Sequence, residues 1–509
     1  MQDIDSRRAA RILLLTAILA ILAGFKLAWL PHSGQFGFDG SFYVNVARNV
    51  QEGVGLRTSI SMYHYGELEL PTRSRLIYPL WPLLLGHVAR LVGLYKAVNY
   101  LPPLLYLCDL LLLYAIVNRM AKTQWIVTPG HLFVLLIGLN GNFFGATSYP
   151  YTEALGFFFA IAALLVLDAA FTRSGWYAPL AALLAGAALL TRSQLVIVGA
   201  ALLITVAWIA ICSRRRIAFA AAAFAVYGAF VAFYYFGITR LEGSPNVVIG
   251  PPFRMWNPTS GADAFLRERL QGIAASLSPT GGYSFFASFG PVFLLPLVAL
   301  PVAAVRWWRQ RTFCIRPEAA LIAACALVGL ATFASLNLFH HIADFFIPWV
   351  FGFRHGLPML FGIAAAAVYL IGAGRVTRVI ALVCIVASIA LSGVRLVDRV
   401  TTPRPVSPTP SEWRLFAWLE AQRPRATIIT DRAQHISVYT HANIHWTECR
   451  TPPETTRSML AKLPVDYVIV YASGRGCRFI DGLQDVLEIR RSFDAGGEPI
   501  IVLGRRRVK

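Results

Sequence analysis

Repeated long apolar runs constrain this chain more than any other feature it has. They fall near residues 12–30, 99–118, 126–146, 154–171, 177–191, 194–212, 217–237, 286–305, 319–337, 355–373 and 378–396. A helix needs about 20 apolar residues to cross the roughly 30 Å hydrocarbon layer of a bilayer, and these runs approach that length. Backbone polar groups find no water at that depth, so a helix is the form such runs take. The 509-residue chain is 57% hydrophobic and 14% charged, which excludes an ordinary soluble multidomain protein. The expected fold class is therefore an α-helical polytopic membrane protein with about eleven transmembrane helices.

Charge gives the runs a sidedness. There are 46 Lys and Arg against 26 acids, a net +20. In a soluble chain that excess would point to nucleic acid, but here much of it lies in short loops, where topology and anionic lipid explain it better. No nucleic-acid partner is expected. Arg7, Arg8 and Arg11 precede the first run, and Arg119 with Lys122 follows the second. Arg173, then Arg214, Arg215 and Arg216, then Arg306, Arg309, Arg311 and Arg316, and finally Arg375 and Arg378 follow the fourth, sixth, eighth and tenth. All fall on one side of the membrane if the count is right. The positive-inside rule then puts the N-terminus in the cytoplasm and, with an odd number of spans, the C-terminal region outside. The expected location is the cell inner (plasma) membrane. Pro31 and His32 follow the first run where a small-x-small cleavage site would stand, so that run reads as an uncleaved helix.

The loops are unequal. The first external loop, 31–98, contains YPLWPLLLGHVARLVGL, which reads as a re-entrant or interfacial helix; a twelfth span is the competing reading and would invert the topology after it. The loop at 238–285 is long and rich in Pro and Gly, and the one at 338–354 is short and aromatic. Residues 1–400 are expected to form the transmembrane catalytic domain, 401–410 a Pro-rich linker, and 411–509 an extracytoplasmic α/β domain. In that last part WRLFAWLEAQ reads as a helix, while ATIIT, VDYVIVYA, VLEIRRSF and PIIVLGR read as strands. With 16 basic and 11 acidic residues over 401–509, it can rest against anionic headgroups. The seven cysteines include no CxxC and no metal spacing. Cys449 and Cys477 can form a disulfide if the domain is exported; two unpaired thiols are the alternative.

Few acids lie near the membrane. Asp39 opens FDGSFYVNVARNVQEGVGL (38–56), ahead of an amphipathic segment with Phe42, Val46, Ala47 and Val50 on one side and Gly53 and Gly55 at its end. Glu153 stands at the external start of the fourth run, in YPYTEALGFFFA. A transferase acting on a lipid-phosphate donor needs a carboxylate as general base for the acceptor hydroxyl and cations for the departing phosphate. Arg73, Arg75, Arg192, Arg240 and Arg354 are the candidate cations, since the guanidinium fork suits phosphate. Plainer readings exist for each residue. Asp39 and Glu153 can simply cap helix N-termini, and Arg192 can snorkel at a helix end. The Tyr and Trp near helix ends, among them Tyr78, Trp81, Tyr149, Tyr151 and Trp349, read as an interface belt. His32, His64, His340 and His341 are external, but only the adjacent His340–His341 pair is close, and neighbours do not easily chelate one ion. No metal ligand is assigned; a divalent metal stays open as a cofactor.

These residues carry a resemblance to the polytopic GT-C glycosyltransferases, in particular the protein O-mannosyltransferase and aminoarabinose-transferase branch. FDGSFYVNVARNVQEGVGL resembles that branch's acidic first-loop motif with its following Gly-x-Gly, RSRLIYPLWPLLL its basic-then-Tyr-Pro approach to the next helix, and SYPYTEALGFFFAIAALL its second acidic motif. LLTRSQLVIV and FRHGLPMLFG resemble later helix starts, and ATIITDRAQHISVYTHANIHW the beginning of the exported α/β domain. The resemblance implies a GT-C-like fold and transfer of a sugar from a polyprenyl-phosphate donor to an extracytoplasmic lipid, glycan or protein acceptor. By it, Asp39 is the catalytic base and Glu153 a second site acid. Arg75 holds the donor phosphate, with Arg192 and Arg354 as further phosphate ligands. Gly40 follows Asp39 where relatives often have a second acid, which puts metal assistance in doubt. A transporter or lipid flippase without transferase activity is the first alternative, and a non-catalytic assembly protein the second.

Overall fold

The computed structural model describes residues 2–29, 37–62, 69–73, 78–123, 125–213, 216–238, 288–310, 319–334, 356–402, 408–447, 449–471, 477–494 and 499–506. They fall into two compact units. The first comprises Met1–Trp29, Pro102–Ser148 and Thr152–Pro403; the second comprises Leu30–Leu101, Tyr149–Tyr151 and Arg404–Lys509.

Along the chain run α1 (Gln2–Trp29), α2 (Gly37–Gln51), strands β1 (Arg57–Thr58), β2 (Ile60–Met62) and β3 (Thr72–Arg73), α3 (Leu80–Val92) and α4 (Leu94–Ala121). Then come α5 (Pro129–Gly138), α6 (Gly141–Ala146), α7 (Glu153–Thr172), α8 (Tyr177–Thr191), α9 (Val196–Cys212) and α10 (Ile217–Ala232). They are followed by α11 (Leu295–Gln310), α12 (Ala320–Ala334), α13 (Met359–Ala373) and α14 (Arg375–Thr401). The C-terminal part holds α15 (Pro410–Gln422), β4 (Thr427–Thr430), α16 (Ala433–Tyr439), β5 (Asn443–Trp446), α17 (Pro453–Lys462), β6 (Tyr467–Tyr471), β7 (Leu487–Phe493) and β8 (Ile500–Arg505).

Each of the eleven apolar runs contains a helix in the described residues, and the chain is a polytopic helical membrane protein with a small C-terminal α/β part. Among the described residues, six helices are long and apolar enough to cross a bilayer by themselves: Asp5–Trp29, Leu94–Ala121, Glu153–Thr172, Ser193–Cys212, Gly290–Arg309 and Arg375–Thr401. The run at 126–146 is not one helix. The Asn140 side-chain Oδ1 accepts from the N–H groups of Asn142 and Phe143, both at 3.1 Å, so a new helix, α6, is capped and starts with only two residues separating it from the end of α5. Helix contacts in this unit run through small residues, as they must where lipid removes the hydrophobic drive between helices. Ala178, Ala181, Ala182, Ala185 and Ala188 of α8 are buried between α7 and α10. A Cβ on Gly329 of α12 would stand 2.4 Å from the Gly362 Cα of α13, so only glycine permits that crossing.

The second unit is built on a six-stranded sheet of order β2-β5-β4-β6-β8-β7, parallel from β2 to β6 and antiparallel from β6 onward. Ile429, Leu460, Val468, Val470 and Phe479 are part of its core, and the Cys449–Cys477 disulfide packs with them. The expected strands are β4, β6, β7 and β8. The outermost strand, β2, comes from the first loop: Ile60, Ser61 and Met62 pair with Ile444, His445 and Trp446. Helix α3 has 13 residues, about 20 Å at 1.5 Å per residue, too short for the hydrocarbon layer, and it packs on α2. A Cβ on Gly86 would meet the Ala47 carbonyl oxygen and Val50 at 2.7 Å, so α2 and α3 touch backbone to backbone.

Candidate active site

Asp39 is the third residue of α2 and is half-buried in the second unit. A carboxylate in a first turn faces the unpaired N–H groups and the positive end of the helix dipole. The other end of α2 is fixed by polar contacts. Arg48 donates to the carbonyls of Ser437 (3.1 Å), Val438 and Thr440, where α16 ends, a position at which a cation meets the negative end of a helix. The Ser59 N–H donates to Asn45 Oδ1 at 2.8 Å, and Asn49 Nδ2 to the Arg57 carbonyl at 2.8 Å, tying β1 and β2 to the same helix. Gly53 and Gly55 then turn the chain with φ of +82° and +92°, a region glycine reaches without strain. Trp81, expected in an interface belt, is instead fully buried and donates from Nε1 to the Pro150 carbonyl at 2.8 Å.

In the first unit the structure brings Glu153 and Arg192 together. Glu153 is the first residue of α7 and its side chain is 1% exposed. Arg192 follows α8, where the backbone becomes extended, and its guanidinium ion-pairs with the Glu153 carboxylate. It also donates to Thr152 Oγ1 at 3.4 Å and, through Nε, to Gln194 Oε1 at 2.9 Å. The arginine is 8% exposed, so it does not snorkel to water. Glu153 has a charged partner beyond its own helix end.

A second polar cluster in this unit was not singled out from sequence. Lys26 of α1 is 2% exposed and donates to the Phe144 carbonyl at 2.6 Å, Thr147 Oγ1 at 2.9 Å and Ser148 Oγ at 2.7 Å. All three ammonium protons are thus matched, and the charge lies 4.2 Å from the ring centres of Tyr106 and Phe144. Asp109 of α4 is buried, with neither carboxyl oxygen hydrogen-bonded among the described residues. Arg399 of α14 donates to the Gly141 carbonyl at 2.6 Å and lies over the Trp29 ring. The signal was available: a lysine inside an apolar run, GFKLAWL, is costly unless paired, and such residues mark function or fixed structure.

Arg75 and Arg354 lie outside the described residues, as do Arg240, His32, His64, His340 and His341. Asp39 belongs to one compact unit and the Glu153–Arg192 pair to the other. Among the described residues, the group with metal-ligand chemistry is Asp431, Cys449 and Cys477, but its sulfurs are joined to each other, so it does not fit a metal ion.

No protein-family model and no curated protein sequence matches this chain. Solved structures do. The Archaeoglobus fulgidus oligosaccharyltransferase tethered to an acceptor peptide aligns at a TM-score of 0.59 and 13% identity, over 97% of this chain and 74% of that one. ArnT from Cupriavidus metallidurans bound to undecaprenyl phosphate aligns at 0.53 and 12% identity, over 96% of this chain and 97% of that one. The mycobacterial arabinofuranosyltransferase AftD aligns at 0.52 and 14% identity over 96% of this chain, which spans 39% of that larger protein. All three are GT-C glycosyltransferases. This chain shares its fold with these three structures.

Proposed function

We propose that the protein is a membrane glycosyltransferase that moves a sugar from a polyprenyl-phosphate donor to an extracytoplasmic lipid, glycan or protein acceptor. The observation that carries this reading is the match of nearly the whole chain to nearly the whole of ArnT bound to undecaprenyl phosphate. An acid in the first turn of the first-loop helix supports it, as does a disulfide in the C-terminal domain, which suits an oxidising compartment. The N-terminus is cytoplasmic in this reading and the C-terminal domain lies outside, at the inner membrane.

In the proposed reaction Asp39 takes the proton from the acceptor hydroxyl. The acceptor oxygen attacks the anomeric carbon, the bond from that carbon to the phosphate oxygen breaks, and polyprenyl phosphate leaves with its electron pair. One displacement inverts the anomeric centre. Arg75 and Arg354 would stabilise the departing phosphate by forked hydrogen bonds. Arg192 shares its charge with Glu153, so it contributes less to the phosphate than an unpaired arginine and fixes the Glu153 carboxylate at the start of α7.

Asp39→Asn tests the base. Loss of general-base assistance costs about 10²–10⁴-fold in rate. The assay is transfer from a polyprenyl-phosphate sugar by purified protein, with insertion checked by thermal unfolding. Near-normal transfer by a properly inserted variant rules out the assignment. A lipid flippase is the second reading, favoured by the charges buried in membrane helices, Lys26 and Asp109. Movement of labelled lipid without any sugar transfer selects it.

A further inference from the structure

The second unit contains a cavity of about 500 Å³ at the end of α2 remote from Asp39. Its polar lining is Arg48, Gln51 and Glu52 from α2 and the turn after it, Tyr95 from the start of α4, and Tyr439 and His441 from the end of α16. The remaining wall is aliphatic. Small-molecule sites occupy roughly 300–1,000 Å³ and combine an apolar wall with a few convergent polar groups, and this cavity has both properties.

The charges in the wall are matched to one another. Glu52 faces His441 Nε2 at 3.0 Å and Arg425 at 3.4 Å, while Glu420 faces His441 Nδ1 at 2.9 Å. Arg48 is engaged by backbone carbonyls of the α16 end. A phosphate therefore meets no uncompensated cation here, and an ammonium group no uncompensated acid. What the wall presents is a carboxylate, an imidazole and an amide, oriented by their own contacts, beside the ring of Tyr95, which is 72% exposed. A pyranose has the complementary surface: a C–H face that lies on an aromatic ring and an edge of hydroxyls that both donate and accept.

We propose that this cavity is a sugar subsite that takes one neutral hexose-type unit of the acceptor, separate from the unit that reacts. Gln51 is twelve residues beyond Asp39 on the same helix, about 18 Å at 1.5 Å per residue, so one ring does not reach both. The acceptor is accordingly a saccharide of several units. Its part in catalysis rests on the glycosyltransferase reading; the binding of sugar does not.

The experiment is saturation-transfer NMR on the purified full-length protein in detergent, with methyl α-D-mannopyranoside and methyl β-D-galactopyranoside as probes. Saturation transfer to the ring protons of at least one probe is expected. Tyr95→Ser weakens it by about two- to tenfold, the contribution of one aromatic face. Gln51→Ala, elsewhere in the lining, weakens it as well, and Asp39→Asn leaves it unchanged. Absence of transfer to both probes overturns the proposal, and so does transfer that is equal in Tyr95→Ser and Gln51→Ala to that of the unaltered protein. Sugar binding that survives in Asp39→Asn while glycosyl transfer persists there refutes the base and leaves the subsite standing, so the two readings fail separately.

Discussion

Replacing Arg192 by Met removes the guanidinium from a carboxylate whose side chain is 1% exposed. At a normal charge-assisted length of about 2.8 Å and an effective dielectric of about 20, the attraction lost is about 6 kcal/mol before desolvation is counted. Breaking a buried pair by removing one partner costs about 3–5 kcal/mol in measured cases, because the other charge is left without compensation. Glu153→Gln costs less, since Arg192 keeps its bonds to Thr152 and Gln194. The combined change Glu153→Gln with Arg192→Met removes both charges together and should cost less than Arg192→Met by itself. Thermal unfolding of the purified protein in detergent reads the series, with Arg192→Met lowering Tm by about 6–20 °C at roughly 2–4 °C per kcal/mol. If the combined variant loses the sum of the two single losses, the residues are not coupled, and the account of Arg192 as the group that fixes Glu153 is wrong.

Lys26→Met leaves three oxygens of the Phe144–Ser148 turn without their donor, at an expected cost of about 3–5 kcal/mol in detergent stability. Adding Asp109→Asn should recover part of it by removing the acid that Lys26 faces electrostatically; a double variant no better than the single one would show that the two do not interact. His445, buried in β5, is held neutral by burial, its pKa lowered to about 4. The unfolded imidazole takes up its proton near pH 6.5, so this contribution to stability is complete above that value and is lost as pH falls toward about 4, by about 3 kcal/mol in all. Denaturant unfolding followed by near-ultraviolet circular dichroism at pH 7, 5.5 and 4 measures the slope, and a His445→Gln protein with the same slope would assign it to another group.

The membrane helices were legible because hydrophobicity over about twenty residues is a strong signal, and because a span must satisfy its own backbone. The break after α5 was not, since Asn140 and Asn142 look like isolated polar residues in an apolar run until the Asn140 side chain is seen to start a new helix. In the C-terminal domain, strands rich in Val and Ile announced themselves, while β5, written Asn-Ile-His-Trp, did not. Strand β2 has three residues, too few for alternation to show. At the site, Asp39 and Glu153 stood out as acids beside apolar helices, but the pairing of Glu153 with Arg192 depends on where two helix ends meet. Lys26 and Arg48 were passed over because a lone basic residue carries no pattern, and their roles come from carbonyls contributed by distant parts of the chain.

The edge strand β2 sets a clock on biogenesis. Ile60 is made early, and its partner Ile444 emerges some 380 residues later. At about 5–20 residues per second, the helix carrying Asp39 and the strand beside it wait roughly 20–80 seconds for the chain that completes their sheet. During that interval β2 has an unpaired edge, open to the wrong strand. A nascent protein thus inserts most of its helices before the loop bearing the proposed base acquires its final support, and premature termination anywhere before β5 leaves that loop without its sheet.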